Sequence, residues 1–190
     1  MKKKIGIISY NINNLFSISN TIKKLDHIPV ISNERKTLLN CDFLVLPGVG
    51  AYEIAMKNIF KNNIDQIINE FIKKGNFFLG ICLGYQILFE ESNEFKITKG
   101  LNLIKGKVTK FDKKMITPHV GWNYVDASNS KIIKKNENKF YFIHSYYATP
   151  KYKEDIFCET SYNDFKFCSG VKKENIYGLQ FHPEKSGKNG

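Results

Sequence analysis

Residues 77–86 read FFLGICLGYQ, and how Cys82 is understood there decides the fold. An apolar run of five ends in Gly80-Ile81-Cys82-Leu83-Gly84, with glycines two before and two after the thiol. Free cysteine is among the most buried residue types, so the plain reading is a packed core thiol. The sharper reading is a nucleophile elbow, G-x-S-x-G with sulfur replacing oxygen, in which a strand turns abruptly into a helix and the central side chain projects upward. At such a helix N-terminus the dipole and free N–H groups favour a thiolate. The amide of Leu83 is then left to hold an oxyanion.

Working outward, KIGII (4–8), HIPVIS (27–32) and CDFLVLPG (41–48) have the same strand character, separated by helical spacing at 15–25 and 52–74. The second helical stretch breaks near Asn62 and Asn63 and closes at Gly75 as a C-cap. Strands that read as continuous apolar runs between helices predict a parallel sheet covered on both faces. In such sheets ligands bind beyond the carboxyl ends of the strands, where Cys82 falls. From Gly106 the pattern changes to short β segments, GKVTKF, KFYFIHSYY, DIFCETSY, FKFCSGV and NIYGLQF, with Tyr162-Asn163-Asp164-Phe165 as a tight hairpin turn. The expected fold class is α/β, a three-layer sandwich with a mostly parallel central sheet plus added antiparallel strands in the second half. It forms one domain over residues 1–190. Polar loops are expected around Asn129 and Lys134.

Composition narrows the function classes. The chain has 190 residues, 42% apolar and 25% charged, as in ordinary globular proteins. Its net charge of +11 would suit nucleic acid. Yet Arg35 is the only arginine, and the lysines are spread along a Lys- and Asn-rich chain without a binding motif, so nucleic-acid binding is not expected. The leading MKKKIGIISYN is too short in apolar length for a signal core or membrane span, which predicts a cytoplasmic protein with no membrane contact. Cys41, Cys82, Cys158 and Cys168 form no CxxC pair and no ligand spacing with the histidines; neither a disulfide framework nor a metal is expected.

A thiolate needs a base, and Gln180-Phe181-His182-Pro183-Glu184 supplies one. Residues two apart on an extended segment share a face, so Glu184 can orient the His182 imidazole while the other ring nitrogen meets sulfur. Pro183 biases His182 toward extended geometry. Leu46-Pro47-Gly48-Val49-Gly50 follows another strand. It serves either as a simple turn or as the source of a second oxyanion amide; its place at a strand end favours the second.

These stretches carry a resemblance. LPGVGAY, GICLGYQ and GLQFHPEKSG together resemble the triad-type, class I glutamine amidotransferases, and PHVGWN (118–123) with FYFIHSYY (140–147) resembles their imidazole glycerol phosphate synthase glutaminase branch. The resemblance runs through nearly the whole chain. It implies a flavodoxin-like sandwich, no cofactor, and glutamine as substrate. Cys82, His182 and Glu184 become the triad, with Gly50 and Leu83 at the oxyanion and Gln86, Ser145 and Tyr146 at the glutamine backbone atoms. It also implies a partner, a HisF-type (β/α)8 cyclase barrel that receives the ammonia, faced by His119, Trp122, Asn123, Tyr141 and Lys185. From the residues alone, Trp122 suits a core or an interface equally, strand periodicity could bury Tyr141, and Lys185 could be a solvated charge.

The chain departs from the family pattern twice. Relatives begin with D-Y-G-x-G-N, whereas this chain has Ser9-Tyr10-Asn11-Ile12-Asn13-Asn14, in which Asn11 and Asn13 can take the positive φ of the missing glycines. This bears on the interface near Asn14. Relatives also continue past the His-Pro-Glu stretch into a final helix; here that helix is absent or the sequence truncated, and its apolar docking site is expected to be exposed. Three alternatives share parts of this pattern. One is a paralogous subunit that supplies ammonia to a bacterial surface sugar. Another is an inactive binding scaffold, which the filled triad argues against. The third is a cysteine peptidase or stress protein of similar layering, in which His usually follows Cys directly, whereas Leu83 does so here.

Overall fold

The computed structural model describes residues 1–11, 15–127, 132–133 and 138–190. Its strands are β1 (Lys4–Ile8), β2 (Ile28–Ser32), β3 (Phe43–Leu46), β4 (Phe77–Ile81), β5 (Glu91–Ser92), β6 (Thr98–Lys99), β7 (Gly106–Lys110), β8 (His119–Tyr124), β9 (Lys139–His144), β10 (Tyr146–Pro150), β11 (Ile156–Tyr162), β12 (Phe165–Lys173) and β13 (Ile176–Leu179). The helices are α1 (Leu15–Lys24), α2 (Arg35–Leu39), α3 (Tyr52–Lys61), α4 (Ile64–Lys73) and α5 (Leu83–Gln86).

Successive side chains of the early strands divide between two apolar layers. Ile8, Leu44, Leu46 and Phe78 pack with α2, α3 and α4, through Leu38, Met56, Ile59, Ile67 and Phe71. Ile7, Val45 and Ile81 point the other way, onto Ile18 and Ile22 of α1. Period-two alternation buried on both faces is why these strands read as unbroken apolar runs. The principal sheet runs β2-β1-β3-β4-β13, all parallel, and continues antiparallel through β12, β10 and β7, with β11 beside β12. This is the expected α/β sandwich, a parallel core extended by antiparallel strands.

Local punctuation behaves as its chemistry dictates. Asn63 takes φ +52 between α3 and α4, Gly75 takes φ +80 after α4, and Asn163 and Asp164 take φ +47 and +60 in the β11–β12 hairpin. Asn11 takes φ +65. Asn13, Asn14, Asn129 and Lys134 lie outside the described residues. Elsewhere the structure differs from expectation. The segment 139–147 is two strands that part at Ser145, because β9 pairs with β8 in a separate two-stranded sheet while β10 joins the principal one. Helix α2 is too short to show a period, and strand β8 alternates His119, Gly121 and Asn123 with Val120, Trp122 and Tyr124 but exposes its apolar side.

Past Glu184 the described chain makes only short 3₁₀ turns. Beside them Phe43, Phe77, Leu79, Tyr177 and Leu179 line an apolar groove of about 410 Å³. Among the described residues no helix is long and apolar enough to cross a membrane.

Candidate active site

The elbow forms at the end of β4. Cys82 sits at φ +55, ψ −110, a conformation that a side-chain-bearing residue adopts only under constraint from its surroundings. The constraint is close packing. A Cβ on Gly84 would lie 1.9 Å from the Leu46 carbonyl oxygen, and one on Gly80 would lie 2.5 Å from the Gly84 oxygen. The two glycines therefore serve approach, and the strained turn itself is carried by the cysteine.

Three chain segments converge there. His182 follows β13, the parallel neighbour of β4, and its backbone N–H donates to the Tyr141 carbonyl at 2.9 Å. Ser186 Oγ closes the segment, donating to the His182 carbonyl at 2.6 Å and accepting from the Tyr141 N–H at 3.0 Å. His182 Nδ1 meets Glu184 Oε1 at 2.7 Å, with side chains only 1% and 2% exposed. Its Nε2 is buried with no hydrogen-bond partner among the described residues, and it shares its cavity with the Cys82 sulfur. Burial alone would push the imidazole down. Cys82 and Glu184 more than offset that and raise it to about 9.

Cys82 and His182 line one cavity of about 310 Å³ with Gly50, Leu83, Gln86, Ser145 and Tyr146, and Glu184 stands behind His182. The Leu83 amide is occupied, donating to the Gly48 carbonyl at 3.4 Å. Tyr10 Oη, buried, donates to the Pro47 carbonyl at 2.5 Å and holds the start of that loop. Because a peptide's C=O and N–H point opposite ways, aiming the Gly48 oxygen at Leu83 turns the Val49 N–H outward. Gly50, expected at the oxyanion, follows in the same loop at φ +105.

Two further findings were not readable from sequence. Glu94, in a polar loop without any local signature, lines the same cavity, and its Oε2 accepts from the Tyr52 N–H at the start of α3 at 2.6 Å. His119, expected at a partner-facing surface, is 3% exposed, stacked between Phe142 and Tyr162, with Nδ1 3.0 Å from His144 Nε2. It is therefore corrected from surface to interior. Of the other residues expected there, Trp122 is 50% exposed, which removes its core reading, Lys185 is exposed, and Asn123 and Tyr141 are half-buried.

The interior histidines give a stability prediction. Burial pushes His119 down to about 4 and His144 to about 3, so both fold neutral. The unfolded chain binds more protons between the ordinary histidine pKa and those values, so their contribution is complete above about pH 6.5 and is lost as pH falls through 4 and 3. Urea unfolding from pH 6.5 to pH 4 should show a loss on the order of 2–3 kcal/mol per histidine. His119→Phe should remove its share of that pH dependence.

Comparison with known proteins places this geometry among relatives. Residues 8–190 match the family model described as "Glutamine amidotransferase class-I". The chain is similar to the imidazole glycerol phosphate synthase subunit HisH of Methanocaldococcus jannaschii, 44% identical over 98% of this chain and 94% of the relative. It is also similar to HisH of Lactococcus lactis, 41% identical over 99% of this chain and 94% of the relative. Among solved structures, PurLQS from Thermotoga maritima superposes with a TM-score of 0.75 at 16% identity, covering 97% of this chain and 89% of that one.

Proposed function

The chain belongs to the class I glutamine amidotransferases, and from that premise we propose that it is the glutaminase subunit of imidazole glycerol phosphate synthase, a single domain over residues 1–190. The names its relatives carry support the histidine-pathway acceptor over a surface sugar. The observation that carries the reading is the convergence of Cys82, His182 and the substrate-facing residues on one cavity, with Glu184 bonded to His182 at 2.7 Å.

The Cys82 thiolate attacks the side-chain carboxamide carbon of glutamine, forming an S–C bond. The His182 imidazolium, kept charged at neutral pH by its neighbours, gives its Nε2 proton to the amide nitrogen as the C–N bond breaks, and ammonia leaves. Neutral His182 then takes a proton from water. The resulting hydroxide adds to the thioester carbon, the S–C bond breaks, and glutamate departs from a restored thiolate. Glu184 holds the ring orientation throughout. The ammonia passes to a HisF-type cyclase barrel, across the face bearing Trp122, Asn123, Tyr141 and Lys185.

Glutamine arrives as a zwitterion, and the Glu94 carboxylate is placed to receive its ammonium. In Glu94→Gln the side-chain oxygen can still accept from Tyr52, so the loop survives, while the charge is lost. We expect a rise of roughly 10–100-fold in KM for glutamine, from loss of a charge-assisted bond, with kcat much less altered.

The resting loop predicts low activity for the isolated chain, since the Gly48 carbonyl sits where an oxyanion donor belongs. Turning the 48–49 peptide over would bring the Val49 N–H inward. It would also carry a β-branched residue toward positive φ, a cost that partner binding has to meet. Ammonia release should rise by about 10²–10³-fold on adding the cyclase barrel with its acceptor ligand, the worth of one oxyanion donor. Equal rates with and without partner would overturn this part of the mechanism.

A further inference from the structure

Behind the substrate end of the cavity runs a chain of buried polar groups that the catalytic scheme leaves unused. The Tyr146 carbonyl is approached by Gln86 Nε2 at 3.0 Å and by His144 Nδ1 at 2.8 Å. A carbonyl oxygen only accepts, so His144 Nδ1 carries a proton. With His144 neutral its Nε2 accepts, and it faces His119 Nδ1 at 3.0 Å, which must donate. His119 Nε2 then accepts from Asn123 Nδ2 at 3.3 Å, and the same amide donates to the Ser161 carbonyl at 2.9 Å.

Each proton position follows from the one before it. The ring nitrogens are all satisfied only with both imidazoles neutral and protonated at Nδ1; an added proton on either would set N–H against N–H. Burial works in the same direction, disfavouring charge on both rings. At the other end Gln86 Nε2 also donates to Gln180 Oε1 at 2.9 Å, and Gln180 Nε2 lies 3.9 Å from the Cys82 sulfur. One continuous run of polar contacts thus joins β8 to the elbow.

We propose that His144, its Nε2 satisfied by the His119–Asn123 relay, is a positioning residue whose Nδ1–H holds the Tyr146 carbonyl, and with it the Ser145–Tyr146 backbone and the Gln86 amide, in the geometry that receives substrate. The inference rests on the reading that this cavity takes glutamine. A space-filling histidine would depend on size; a positioning one depends on which nitrogen is kept. His144→Asn retains a donor near the Nδ1 position, whereas His144→Gln retains a polar group only near Nε2.

The test combines nitrogen-15 NMR of histidine-labelled protein with glutamine kinetics in the complex with a HisF-type barrel. His144 should show the Nδ1–H tautomer unchanged from pH 6 to 9 in the wild type and keep it in His119→Phe, because the Tyr146 carbonyl can only accept, while the Nε2 resonance shifts on loss of its donor. His144→Gln should raise KM for glutamine roughly tenfold with kcat preserved, as for loss of one buried hydrogen bond, while His144→Asn stays close to wild type. An Nε2–H tautomer in the wild type, or equal KM in the two variants beside an active wild type, overturns the inference alone. The NMR result on unmutated protein decides it even where a variant fails to fold. A wild type that releases no ammonia overturns the reading of the cavity and this inference with it.

Discussion

Cys82→Ala should abolish glutamine hydrolysis, with a loss of about 10⁴-fold or more in kcat, the scale of removing a nucleophile that works as a unit with its base. No other thiol is positioned to replace it. Burial pushes Cys158 well up and Cys168 to about 12, and the latter is packed against Tyr85 with its thiol donating to the Gly170 carbonyl at 3.2 Å. Cys41 is likewise raised by burial and donates to the Thr37 carbonyl at 3.4 Å, far along the sheet behind β3. The variant should fold normally and still support product formation by the partner when free ammonia is supplied. Ammonia release that persists in Cys82→Ala would remove the site assignment.

His182→Asn should cost roughly 10²–10⁴-fold in kcat, the range for a positioned acid–base group, with KM for glutamine little changed. Asparagine is chosen because its amide can occupy the Nδ1 position against Glu184 Oε1, so the buried carboxylate keeps a partner and the variant reports chemistry rather than unfolding. The two substitutions should not add. Once the sulfur is gone the imidazole has no proton to exchange with it, so the double variant should match Cys82→Ala.

Much of the fold was legible because its signals are local. The runs at 4–8, 41–48 and 76–81 announce strands buried on both faces, and Asn62-Asn63, Gly75 and Asn163-Asp164 mark their turns through the backbone conformations those residues tolerate. The elbow was legible for the same reason, from its flanking glycines, although only the structure shows that Gly80 and Gly84 serve close approach while Cys82 itself takes positive φ. What escaped depends on long-range placement. Glu94 becomes a cavity residue only because a loop folds back onto the start of α3. The direction of the Gly48–Val49 peptide, its carbonyl on the Leu83 amide, is likewise set by tertiary contact. His119 shares the polar side of β8 with Gly121 and Asn123, the side that alternation assigns to solvent, yet it is the apolar Val120, Trp122 and Tyr124 that are exposed and His119 that is buried.

The most direct test of the central claim is covalent labelling with a glutamine analogue bearing an electrophilic ketone at the carboxamide position, mapped by peptide mass spectrometry. One equivalent should attach at Cys82, in step with loss of ammonia release, and excess glutamine should protect. Label on Cys41, Cys158 or Cys168 with Cys82 unmodified, or full inactivation with Cys82 untouched, would contradict it.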